Sequence, residues 1–196
     1  MTIMTERTDI TLAAINGKSP RIHSSAFIAP GCRIIGDVEI GPDASIWYNC
    51  VIRGDVNAIR IGARTNIQDG SIVHCDSAHE GNPGGAPTII GEDVLIGHLA
   101  MVHGCVLEQG SFVGLGAIVM SHARVEAEGM LAAGAMLTEG KTVGRRQLWI
   151  GRPAKYGRDL TPEQSADMAR GTAAYVENGR RHRDANAANP GAASDS

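Results

Sequence analysis

The chain repeats itself every six residues, and that period rules out most folds open to a chain of this length. Ile22, Ile28, Ile34, Ile40, Ile46 and Ile52 are spaced by six without a break. After three extra residues the phase resumes at Ile61, Ile67 and Val73, and after a longer break at Ile90, Ile96 and Val102. One residue is then dropped, and Leu107, Val113, Val119, Val125, Leu131, Leu137 and Val143 follow. Four places after most of these stands a small or β-branched residue, such as Ala26, Cys32, Val38, Ala44 and Cys50. An amphipathic helix repeats about every 3.6 residues and a half-buried strand about every 2. Six fits neither. It fits a short extended segment and a corner, repeated as a parallel β-helix.

Three segments per coil make a triangular prism in which residues eighteen apart stack in columns. Hexads starting at 22, 28 and 34 form one coil, those at 40, 46 and 52 the next, those at 61, 67 and 73 the third, and those at 90, 96 and 102 the fourth. The Gly- and Pro-rich stretch Asp76 to Thr88 is then a loop leaving the corner between coils three and four. The expected layout is an N-terminal lead-in strand over 1–21 and a β-helix domain over 22–156. A C-terminal helix over 157–183 and a disordered tail over 184–196 follow. Thr161-Pro-Glu-Gln164 reads as the helix start, with Thr at the N-cap, Pro first and Gln in capping-box position. The fold class is all-β with one terminal α-helix.

Charge excludes some function classes. A formal net charge of −3 argues against nucleic acid or a membrane surface as the main partner. The run Arg180-Arg-His-Arg183 is short and reads as a solvated helix end. The first residues lack the apolar core of a signal peptide and no apolar run approaches a membrane span, so a cytoplasmic protein is expected. Four cysteines, at 32, 50, 75 and 105, include no Cys-x-x-Cys pair and do not suggest a disulfide framework.

The chemistry sits in three histidines. His74 and His103 are each the second residue of a third-face hexad, so they stack on adjacent coils about 4.8 Å apart at the backbone. Arg53 falls in the same column one coil earlier. His98 is the third residue of a second-face hexad, with Asp69 below it and Gln68 beside that. Imidazole is the commonest side-chain ligand for a transition metal, and three histidines with one open position is a catalytic zinc pattern. The faces differ, so one chain does not bring all three rings to one ion, whereas a neighbour packed around a threefold axis does. The register therefore predicts a homotrimer with inter-chain metal sites. Imidazole suits zinc, iron, cobalt and nickel alike.

Val51-Ile-Arg-Gly-Asp55, Asn66-Ile-Gln-Asp-Gly-Ser-Ile-Val-His74, Ile96-Gly-His98 and Val102-His-Gly-Cys105 together resemble the gamma-class carbonic anhydrase family, as do Gly114-Leu-Gly-Ala117 and Gly151-Arg-Pro-Ala-Lys155. The resemblance runs from about Pro20 to Tyr175 and looks closest to the smaller bacterial members. It implies a left-handed β-helix, a trimer, and hydration of CO2 to bicarbonate on Zn2+, with Fe2+ or Co2+ possible. By resemblance His74 and His103 are the same-chain ligands and His98 the cross-chain ligand. Arg53 and Asp55 match the family's interface ion pair near the bicarbonate site. Gln68 matches the residue that orients the attacking hydroxide, and Asp69 the acid beside it. Tyr175 resembles a C-terminal tyrosine that approaches the site. The chain departs from the archetype in lacking the acidic proton-shuttle loop. Near His74 the loop offers only Asp76, His79 and Glu80.

Three other readings compete. The same fold carries coenzyme A-dependent acyltransferases, which usually need one catalytic histidine. A family member could act on another substrate such as a thioester, or keep the site only to hold a trimer together.

Overall fold

A computed structural model describes residues 10–188. The core isoleucines, valines and leucines line up as the period requires. On the second face Phe27–Ile28, Ser45–Ile46, Asn66–Ile67, Leu95–Ile96, Phe112–Val113 and Met130–Leu131 pair in parallel, one above the next. On the third face Val51, Ile72, Met101, Ile118 and Met136 form the outward column, while Ile52, Val73, Val102, Val119 and Leu137 point inward. Those inward side chains are all fully buried. The third and first faces count as one twelve-stranded sheet because Arg33–Ile40 and Val51–Ile61 run unbroken round the corner, and the second face is a separate sheet of eight strands.

Corners need residues that allow backbones to stack closely. Gly62 is such a position: a Cβ there would lie 2.4 Å from the Gly91 carbonyl carbon on the coil above. The three extra residues read from the sequence bulge out after Gly54. Gly36 pairs with Gly54, but Val38 pairs with Ile59. Over the corner that begins this bulge, Asp37 receives Lys18 Nζ at 2.6 Å and Arg60 Nη1 at 2.8 Å. The hydrogen bonds from Lys18 and Arg60 hold its carboxyl below the usual carboxylate range. A depressed folded-state pKa gives stability above the unfolded value near 4 that is lost as pH falls through the folded one. Asp37→Asn should therefore cost on the order of 1 kcal/mol at pH 7. The gap from the parent protein should narrow on acidification, as read by urea unfolding at pH 7 and pH 3.

The ends depart from the expected layout in three ways. In the lead-in, Thr11–Ala13 pairs in parallel with Arg33–Ile35 as an added strand on the third face, while residues 1–9 lie outside the described residues. The helix begins at Pro162 rather than at 157, because Lys155–Asp159 is a strand that folds back antiparallel on Gln147–Ile150. The helix, Pro162–Ala188, runs past the expected end at 183. So 184–188 is helical rather than disordered, and 189–196 lies outside the described residues. Its start is the expected reciprocal cap: Thr161 N–H donates to Gln164 Oε1 at 3.1 Å and Gln164 N–H to Thr161 Oγ1 at 3.3 Å.

The helix lies along the second face. Gly171 meets Leu95, and Gly179 approaches Ser45 and Phe27. The basic run at its far end is not simply solvated. Arg180 reaches Asp43 at 3.5 Å, Arg183 donates to the Ser25 carbonyl at 3.3 Å, and the His182 ring packs on Trp47 and Tyr48. These contacts anchor the last turns, which explains why the helix outruns its weak local propensity. Among the described residues no helix is long and apolar enough to cross a membrane.

Candidate metal centre

The parallel register brings His74 directly opposite His103 on the next coil. Their rings approach with His74 Nδ1 3.1 Å from His103 Nε2. The outer nitrogens settle where the protons are. His74 Nε2 lies 3.1 Å from Asp55 Oδ1. An ionised carboxylate only accepts, so Nε2 carries the hydrogen. His103 Nδ1 lies 3.0 Å from Ser121 Oγ, whose single hydrogen goes to Asp76 Oδ2 at 2.5 Å. Ser121 must therefore accept from His103 Nδ1–H. With both outer nitrogens donating, the inner two present lone pairs to each other.

Two facing lone pairs need a cation between them. A proton is the weaker candidate, because burial pushes the His103 imidazole below its ordinary pKa; Asp76 opposes that shift, and His74 and Arg53 add to it. A divalent metal fits better. Two imidazole nitrogens on one tetrahedral ion with bonds of about 2.05 Å stand about 3.3 Å apart, close to the 3.1 Å seen. The donor set suits such an ion, since each ring's second nitrogen is tied to an acceptor that orients it.

The rest of this cluster is Asp55 and Arg53. Arg53 Nη1 donates to Asp55 Oδ2 at 2.6 Å, while Asp55 Oδ1 takes His74. Burial works to raise the Asp55 carboxyl, but the hydrogen bonds from His74 and Arg53 outweigh it and hold the group below the usual carboxylate range.

His98 belongs to a different place. It opens the corner between the second and third faces, whereas His74 and His103 end third-face strands at the far side of that face. Asp69 holds it: Oδ2 lies 2.7 Å from His98 Nδ1, and Oδ1 accepts the Tyr48 N–H at 3.2 Å. That fixes Nδ1–H and turns the Nε2 lone pair outward. Tyr175 stands nearby on the helix, packed edge-on against Trp47 at 5.5 Å between ring centres. Burial raises its hydroxyl pKa and the Asp69 charge adds to the shift. Gln68 is buried at 3% exposure, with its amide nitrogen donating to Asn66 Oδ1 at 3.1 Å. Among the described residues no group of three histidine, cysteine or acidic side chains closes around one metal position.

The thiols next to His74 and near His103 in the sequence stand apart from this cluster. Cys75 and Cys105 are buried, burial raises both, and Cys105 is pushed up to about 12. Sequence reasoning missed Ser121 entirely. The available signal was its place opposite Gly104, one residue beyond the His74–His103 column.

One chain thus carries two incomplete histidine sites at two corners of a hexapeptide β-helix. Residues 19–54 match the family described as bacterial transferase hexapeptide (six repeats). The chain is 42% identical over 179 residues to gamma carbonic anhydrase 1, mitochondrial, of Arabidopsis thaliana, covering 90% of this chain. It spans 64% of that relative, less than two thirds of its length. It is 40% identical over 164 residues to a carbonic anhydrase of Geobacillus kaustophilus, covering 84% of this chain and 86% of that one. A crystal structure of a hexapeptide transferase family protein from Anaplasma phagocytophilum superimposes with a TM-score of 0.80 at 45% identity, covering 87% and 96% of the two chains. The chain belongs to the gamma carbonic anhydrase family of hexapeptide-repeat proteins.

Proposed function

We propose that this protein is a gamma-type carbonic anhydrase, catalysing the reversible hydration of CO2 to bicarbonate at the interfaces of a homotrimer. His74 and His103 of one chain and His98 of the next would hold Zn2+, Fe2+ or Co2+. The observation that carries this reading is the proton count. Three imidazoles each have one nitrogen held by an acceptor and one lone pair facing out of that contact, yet among the described residues of one chain they do not close around a single metal position.

The surface supports the assembly. The outward column Val51, Ile72, Met101, Ile118 and Met136 makes the third face apolar. Beside His98, Leu99 is 72% exposed and holds a positive φ of 57°. Such a conformation is uncommon for a bulky residue. Leu115 extends the same corner, half exposed. An apolar strip of this kind marks an interaction surface.

When bound, a divalent ion supplies Lewis acidity that brings the pKa of water toward about 7. The protein does the positioning. Asp55 and Asp69 fix the tautomers of His74 and His98. Arg53, pinned by Asp55, offers its remaining guanidinium donors to the anion that forms from CO2. Gln68 spends its amide nitrogen on Asn66, leaving its carbonyl oxygen to accept from the attacking water. Tyr175 lines the approach beside Asp69.

The transferase names of the matching repeat family and of the Anaplasma neighbour raise a second reading, acyl transfer. A single histidine base would serve that chemistry; three rings locked with lone pairs available favour a metal. Stopped-flow CO2 hydration on protein loaded separately with Zn2+ and, anaerobically, with Fe2+ tests the choice. The expected result is close to one metal per chain and hydration well above the metal-free protein. One metal per chain with no hydration in either form would reject the carbonic anhydrase activity.

A further inference from the structure

The segment between Asp76 and Thr88 leaves the prism beside the two facing histidines, and both its ends return to them. At its start, Asp76 accepts from Ser121, which in turn accepts from His103. At its end, the buried Thr88 hydroxyl donates to the His74 carbonyl and accepts the Gly104 N–H at 2.9 Å. Gly104 makes this closure possible. Its φ is +53°, and a Cβ there would lie 2.9 Å from Ala86 Cβ and 3.0 Å from Ser121 Oγ. Any side chain at 104 would push the loop and Ser121 away from His103.

We propose that Asp76 and Ser121 are positioning residues of the metal centre, acting through His103. The relay from the Asp76 carboxylate through the Ser121 hydroxyl holds His103 as the Nδ1–H tautomer and aims its Nε2 lone pair at His74. This rests on the reading that His103 is a metal ligand. His74 and His98 each have a carboxylate in direct contact. For His103 the Ser121 hydroxyl supplies the missing length between ring and acid. The hydroxyl has one hydrogen and an ionised carboxylate has none, so the donor order is fixed along the whole line. Asp76 lies on the excursion rather than on a repeat. The loop is thereby tied to ligand orientation at one end through Asp76 and to ligand backbone at the other through Thr88.

The test uses the full chain and three variants: Ser121→Ala, Asp76→Asn and Ser121→Thr. The first readout is the 15N spectrum of the His103 ring in metal-free protein at pH 8. The parent should show protonated Nδ1, and Ser121→Ala should shift His103 toward a tautomer mixture. The second readout is Co2+ and Zn2+ affinity by competition with a chromophoric chelator. Loss of an outer-shell partner of a ligand typically costs about 10–100-fold in metal affinity, and that is the expected loss for Ser121→Ala. Asp76→Asn should fall between it and the parent, and Ser121→Thr, which keeps the hydroxyl, should stay within about threefold. Ser121→Ala with the parent's tautomer and the parent's affinity would overturn the proposal. A parent chain that binds neither ion would reject the metal reading itself, and the metal-free spectra would then still decide the relay.

Discussion

Replacing His103 by alanine is expected to abolish metal retention and CO2 hydration together, while leaving the fold in place. The ring sits half-buried at the end of a third-face strand and points out of the prism, so no core volume is lost. What remains is the Nδ1 lone pair of His74 with nothing opposite it, and His98 on another chain. Since removal of a mere outer-shell partner costs about 10–100-fold in metal affinity, loss of a ligand should exceed that. Metal per chain after dialysis and stopped-flow hydration rate both read the effect. Unchanged unfolding by denaturant would separate it from collapse of the fold.

The second large effect belongs to the core and should reverse the pattern. Ile67 is fully buried and stacks between Ile46 and Ile96. Each coil contacts its neighbours above and below, so a hole at Ile67 weakens two stacking interfaces at once. Ile67→Ala should cost about 2–5 kcal/mol. Ile72→Ala, on the outward column of the third face at 38% exposure, should change the stability of the single chain by only about 0.5 kcal/mol. It should instead weaken association. Urea unfolding at fixed chain concentration reads the first effect, and sedimentation at falling concentration reads the second.

The sequence carried the fold because its signal is periodic. Six-residue spacing told which isoleucines point inward, and counting by coils placed His74 opposite His103 and Asp69 beneath His98, as the parallel register has them. Ser121 was readable from the register but was passed over, and features outside the repeat were not legible. Ser121 is eighteen residues after His103, but the dropped residue shortens that stack to seventeen. Met101 therefore pairs with Ile118, and Ser121 falls opposite Gly104. Asp76 reaches Ser121 from an aperiodic loop, which no spacing rule could place. The antiparallel return of Lys155–Asp159 rests on its pairing with Gln147–Ile150, and the helical turns past 183 follow tertiary contacts that Arg180, His182 and Arg183 make with the first coils. Local composition there reads as coil. The burial of Gln68 beside Asn66 was equally hidden, since both occupy positions that could equally have faced solvent.

The split of the site between chains is the central claim, and co-expression of two inactive variants tests it most directly. His98→Ala keeps the His74–His103 pair, and His103→Ala keeps His98. In a cyclic trimer every mixed assembly rebuilds one of its three interfaces, and equimolar mixing makes about three quarters of the trimers mixed. The account predicts that metal content and CO2 hydration return to about one quarter of the parent level. A mixture that binds no more metal and hydrates no faster than either variant alone would contradict it.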